Sequence, residues 1–248
     1  MKYSKLSNKS FTSTMKHLLV MAFAILTIGC GEKKSEDVNL DELEFREGVF
    51  YLKFSITPYT GKGFKFYENG QKEGEVNFKD GKQDGLTVSW HENGQKKTEE
   101  NFKDGKIDGL TVSWYENGQK YTEANFKDGK IDGPAVNWYE NGQKEGEVNH
   151  KDGKPNGDAT GWYENGQKRF ETIYKDGNPD GLETYWLENG QKKGEGNYKD
   201  GKMDGLGFTW HENGQKMMEA TFKDNEFISE KYWNSKGEEV DSMEEAEQ

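Results

Sequence analysis

The sequence predicts an all-β protein: an elongated single-sheet array of antiparallel β-hairpins, a β-solenoid or meander, following a signal peptide and a short flexible tether. Three observations predict it. The string Glu-Asn-Gly-Gln-Lys begins at 68, 92, 116, 140, 164, 188 and 212, a period of 24 without slippage. Each period holds two segments of alternating apolar and polar residues separated by turn signals, as in Leu86–His91 and Gln95–Phe102. The 248 residues are only 31% hydrophobic yet 13% aromatic, too poor in aliphatics for a thick core and too rich in rings for a disordered chain.

Residues 1–29 come first. A basic stretch ending in Lys16-His17 precedes eleven mostly apolar residues, Leu18 to Ile28, then Gly29-Cys30. That run is too short to span a bilayer as a helix and reads as a secretory signal with Gly29 at the cleavage point. The only cysteine of the chain follows directly, and Thr27-Ile28-Gly29-Cys30 resembles a bacterial lipobox. Thr27 stands where leucine is usual, and Met15 is an alternative start. The resemblance implies acylation of the Cys30 thiol, palmitate included, and a chain held at the membrane of the bacterial envelope by its lipid. The four lysines of residues 1–29 have no acid beside them, so their removal takes the net charge from −12 to −16. Such a surface repels nucleic acid and anionic lipid, and nucleic acid is excluded as a partner.

Residues 30–44 are polar and acidic, and are expected to be a flexible tether. Residues 45–60 contain Gly48 to Ser55, a strand pattern that could cap one end of the array. Seven units start at Gly61, Gly85, Gly109, Gly133, Gly157, Gly181 and Gly205 and fill residues 61–228. A worn eighth follows at 229–241, where Trp233-Asn234-Ser235-Lys236-Gly237-Glu238 echoes the hairpin, and 242–248 is expected to be a disordered acidic tail. End units unlike the middle ones are what a stacked array needs, because no single unit buries enough to fold alone.

Paired residues in a hairpin point the same way, which selects the loop. A two-residue Asn93-Gly94 turn pairs Val88 with Glu99 and mixes the faces. A three-residue Glu92-Asn93-Gly94 loop, a type I turn with Gly94 in the left-handed region, pairs Val88 with Thr98 and is expected here. On that register the column Trp90, Trp114, Trp138, Trp162, Trp186 and Trp210 shares a face with Phe78, Phe102, Phe126, His150, Tyr174, Tyr198 and Phe222, and the two columns form the core. The opposite face then carries Glu75, Glu99, Glu123, Glu147, Glu171, Glu195 and Glu219 as a solvated ladder.

Trp-Tyr-Glu-Asn-Gly-Gln-Lys followed by Tyr/Phe-Lys-Asp-Gly-Lys-x-Asp-Gly resembles the bacterial variant of the MORN repeat, over about residues 61–228. The resemblance implies hairpin arrays that act as interaction or scaffold modules without catalysis. Many bacterial relatives carry the label "YwqK-family antitoxin", so an antitoxin or immunity role is implied as an alternative.

No catalytic constellation is read from the residues. His91 and His211 share one repeat position with tyrosine or leucine, as surface fillers would. The Asp-Gly-Lys-x-Asp-Gly loops, Asp104 and Asp108 for example, offer carboxylates to a cation, but a lysine sits among them and turn formation explains both aspartates and both glycines. No metal or other cofactor is expected. The tryptophan column could stack on sugars, which keeps a cell-wall glycan open as an alternative partner to a protein.

Overall fold

The computed structural model describes residues 37–247. Cys30 and Gly29, with the expected signal and lipidation, lie outside the described residues. Within them the chain is almost entirely β: one sheet of 20 strands and a separate two-stranded hairpin.

The sheet runs in chain order, each long strand pairing with the strands just before and after it. The first hairpin pairs Gly61–Phe66 with Lys72–Lys79, the second Gly85–Trp90 with Lys96–Lys103, and the pattern continues to Lys202–Trp210 with Lys216–Lys223. Glu226–Trp233 and Glu239–Val240 form a shortened eighth hairpin whose Gly237 has φ +82°. The outermost strands, Val38–Asn39 and Glu239–Val240, each have one neighbour, so the sheet is open rather than a closed barrel.

Two turn chemistries alternate. Lys-Asp-Gly-Lys closes one set of hairpins with two central residues at positive φ, as at Asp104 (+51°) and Gly105 (+83°). That is the type I′ turn whose twist suits a hairpin, and aspartate tolerates it. Glu-Asn-Gly closes the other set: Gly94 N–H donates to the His91 carbonyl, His91 N–H donates to the Gln95 carbonyl, and Gly94 has φ +81°. The loop therefore has the expected three residues. Asn93 holds it by accepting from the Gln95 amide at 2.9 Å, and the same bond recurs at every unit.

The register beyond that loop differs from expectation. Trp90 faces Lys96, but Ser89 faces Thr98 and Val88 faces Glu99, because a second bulge leaves Lys97 unopposed. One extra residue turns the rest of the strand over. All seven hairpins carry this shift. The tryptophans therefore share their face with the glutamate ladder, and the Phe78 to Phe222 column lies on the opposite face with Thr87, Ser89 and Thr98. The two aromatic columns do not form one core.

The acidic segment expected as a tether is structured from Val38 onward. Val38–Asn39 pairs in parallel with Gly61–Phe66, a short 3-10 turn Leu40–Glu42 follows, and Leu43–Arg46 pairs with Val49–Leu52 as a separate hairpin. Leu40, Leu43, Phe50 and Leu52 pack on buried Tyr59, Val76 and Phe78. Alternate apolar residues hidden in a charged sequence account for this order. At the other end Met243–Ala246 is a short helix capped by Ser242, with Ala246 fully buried, in place of the expected disordered tail. No helix among the described residues is long and apolar enough to cross a membrane.

Candidate functional site

The tryptophan face is a set of identical clamps between neighbouring units. Lys72 sits with its ammonium 5.2 Å from the Trp90 ring centre and 2.9 Å from the Glu75 carboxylate. Lys96 over Trp114, Lys120 over Trp138, Lys144 over Trp162, Lys168 over Trp186 and Lys192 over Trp210 repeat it at 5.4–5.7 Å, each lysine also pairing with the glutamate three residues on. A cation over an indole face is attracted by the ring quadrupole. The six tryptophans are half-buried. Val88 and Val112, between them on the same face, are buried. The glutamates are thus partners of the lysines rather than a free solvated row. Hydrogen bonds from Lys62 and Lys72 hold the Glu75 carboxyl below its ordinary range.

Beside each indole a polar tip ties one unit to the next. The hydroxyls of Tyr67, Tyr115, Tyr139 and Tyr163 donate to the carbonyls of Trp90, Trp138, Trp162 and Trp186 at 2.7–2.8 Å. His91 and His211 make the same bond through Nε2, to Trp114 and Trp233 at 2.9 and 2.8 Å. The acceptor is a carbonyl, so Nε2 carries the proton. These histidines are linkers rather than fillers of surface. Asn93, Asn117, Asn141 and Asn165 add a second tie, each donating to the carbonyl of Glu116, Glu140, Glu164 or Glu188 in the next loop.

Of the turn aspartates, Asp84 accepts from the Asp104 amide at 3.2 Å and Asp108 from the Asp128 amide at 3.1 Å, which commits these two carboxylates to the next unit. Among the described residues no group of three or more His, Cys, Asp or Glu is placed to hold a metal ion.

The opposite face is different. At the first unit it is covered by the N-terminal cap described above. Over the central units it is an uncovered trough of about 440 Å³. Ala124, Ala135, Gly146 and Val148 line it together with Phe126, Ile131, His150 and Phe170, and Glu145 and Arg169 add one charge of each sign. Along the array the strand position of Ala124 and Val148 is otherwise Val76, Glu100, Thr172, Gly196 and Ala220, most of them apolar or small. Glu100 interrupts that apolar line, and burial raises its carboxyl above the ordinary range. Glu183, buried further along, accepts from the Tyr185 hydroxyl at 2.7 Å, and burial together with that bond pushes the Tyr185 phenol well up. Sequence reasoning missed this trough because it placed the tryptophans on the same side as the phenylalanines. No residue type marks the bulge, because the position with no partner across the hairpin is Glu73, Lys97, Tyr121, Glu145, Arg169, Lys193 and Met217 in successive units.

No curated protein matches the chain. The model of the MORN repeat variant matches seven times, at residues 59–80, 83–104, 107–128, 131–152, 155–176, 179–200 and 203–224. Each match ends in the Lys-Asp turn and spans one Glu-Asn-Gly loop, so the matched unit is the hairpin of the structure. With more than half of its residues matched in register with its hairpins, the chain belongs to the MORN repeat variant family.

Proposed function

We propose that the chain is a non-catalytic, lipid-anchored protein of the bacterial cell envelope whose repeat array holds a protein partner along its trough face. The single observation that carries the partner reading is the contrast along that face. Where the chain covers it, at Val76 and Phe78, the cover is a 3-10 turn presenting Leu40 and a hairpin presenting Leu43, Phe50 and Leu52. The equivalent surface at Ala124, Phe126 and Val148 has no such cover. The fitting occupant is a protein segment of the same chemistry, a hairpin or short helix with aliphatic and aromatic side chains, and an overall basic surface to meet a chain whose net charge is −16 without residues 1–29. The Cys30 motif supports the anchor.

The tryptophans serve the array in this reading, since each ring already carries a lysine from the preceding unit. A photoreactive phenylalanine analogue at position 126 or 170 should cross-link a partner protein in intact cells, and one at position 114 should not. Cross-links from position 114 alone, or sedimentation with cell-wall sacculi lost in Trp138→Ala, point to the glycan reading instead. A stoichiometric toxin joined at 126 makes the occupant an antitoxin target. The anchor is tested apart: Cys30→Ser should abolish labelling by an alkynyl fatty acid.

A further inference from the structure

The N-terminal cap carries two of the most exposed large apolar side chains of the described chain, side by side in one turn. Phe54 is 100% exposed and Ile56 93%. Phe54 also has φ +67°, a conformation that a bulky residue rarely adopts. The turn is nonetheless built. Ser55 N–H donates to the Leu52 carbonyl at 2.9 Å, the Ser55 hydroxyl bridges to the Thr57 backbone, and the Arg46 guanidinium lies 4.3 Å over Tyr51 while donating to the Ser55 carbonyl. These contacts hold Phe54 at its positive φ while its side chain and that of Ile56 face outward.

The place of this turn matters. Lys53 N–H donates to the Glu42 carbonyl at 2.9 Å, so the turn emerges at the end of the cap hairpin where the chain enters from residue 37. Only six residues lie between Cys30 and Asp37, and the seven steps that join them reach at most about 25 Å. On the lipid-anchor reading of Cys30, on which this inference rests, the turn is confined close to the bilayer surface.

We propose that Phe54 and Ile56 insert into the interfacial layer of the membrane that carries the acylated chain, a second attachment that orients the array relative to the bilayer. Two side chains are too few to bind a membrane from solution, particularly on an acidic chain. Tethering supplies the effective concentration that makes them sufficient.

The test uses residues 30–248, the form that the anchor reading leaves after cleavage at Gly29, coupled through Cys30 to a maleimide phospholipid in phosphatidylethanolamine–phosphatidylglycerol vesicles that also contain a diazirine-bearing acyl chain. Illumination and mass spectrometry should place lipid adducts on the peptide holding residues 53–58. The double variant Phe54→Ser, Ile56→Ser should lose at least about tenfold of that signal with an unchanged circular dichroism spectrum, and the uncoupled chain should not sediment with vesicles. Adducts spread along the repeats, or none at 53–58, overturn the inference. Coupling bypasses cellular acylation, so failure here is distinct from failure of the anchor, which the Cys30→Ser labelling decides alone.

Discussion

At Tyr139 a hydroxyl on one hairpin reaches the carbonyl of Trp162 on the next, and at Leu187 the same position has no group that can do so. A hydrogen bond of this kind contributes about 0.5–1.5 kcal/mol net. Tyr139→Phe should lower stability by that amount, and Leu187→Tyr should raise it by a similar one by supplying the missing donor to Trp210; urea denaturation of both variants checks the pair. Burial raises the phenols of Tyr115 and Tyr139, so their contribution is complete below pH 10 and declines as pH climbs past it. Two carboxylates act with opposite sign. Glu75 has a lowered pKa, so it stabilises the fold above its ordinary value of 4.5, and that stabilisation is lost as pH falls through the lowered value. Glu100 has a raised pKa, so the fold loses stability as pH rises from 4.5 through the raised value. Glu100→Val, which restores the residue type found at Val76 and Val148, should therefore stabilise the protein at neutral pH and flatten that slope in thermal melts taken between pH 4 and 8.

Between hairpins the tyrosine, histidine and asparagine ties are regular except at one seam. Asn189 bonds to Gln191 of its own loop instead of the next unit, and Leu187 offers no hydroxyl or imidazole. A side chain built on Gly190 would meet Gln167 at 2.4 Å, and one on Gly118 would meet Gln95 at 2.5 Å, whereas Gly214 has Gln191 no nearer than 3.8 Å. The loops at 188–190 and 212–214 are thus more loosely stacked than any pair before them. Amide exchange should be fastest, within the interior of the array, at residues 187–191 and 211–214, and Leu187→Tyr should slow it; uniform protection across all loops counts against the seam. The lysine clamps behave differently because they are exposed ion pairs worth about 0.2–1 kcal/mol, with the ring contact adding about 0.5–1. Lys144→Gln should cost about 1 kcal/mol at low salt and less at high salt, measured by the same denaturation.

Across the whole array every tie is to a neighbouring unit, so stability is a property of the stack. Removing residues 109–156, two full periods, joins Asp108 to Gly157 in register. The shortened chain should keep a β-type circular dichroism spectrum and unfold cooperatively at a lower temperature; a random-coil spectrum rejects the nearest-neighbour account. What the stack leaves uncovered is the trough, flanked by a cap that closes the first unit with Leu40, Leu43, Phe50 and Leu52.

Period, turn positions, the three-residue loop with its left-handed glycine and the family were all legible in the residues. Each is local: a glycine at positive φ or an Asp-Gly turn declares itself within a few positions. The face on which each column lies was not legible, because a bulge at Lys97 leaves no mark on hydrophobic alternation yet inverts everything beyond it. Nor was the folding of residues 38–46 into a cap, since those side chains become a core only when Val76 and Phe78 are brought beneath them. Chain-local chemistry wrote the hairpins; which side of the sheet stays open was decided by contacts between residues far apart in the chain.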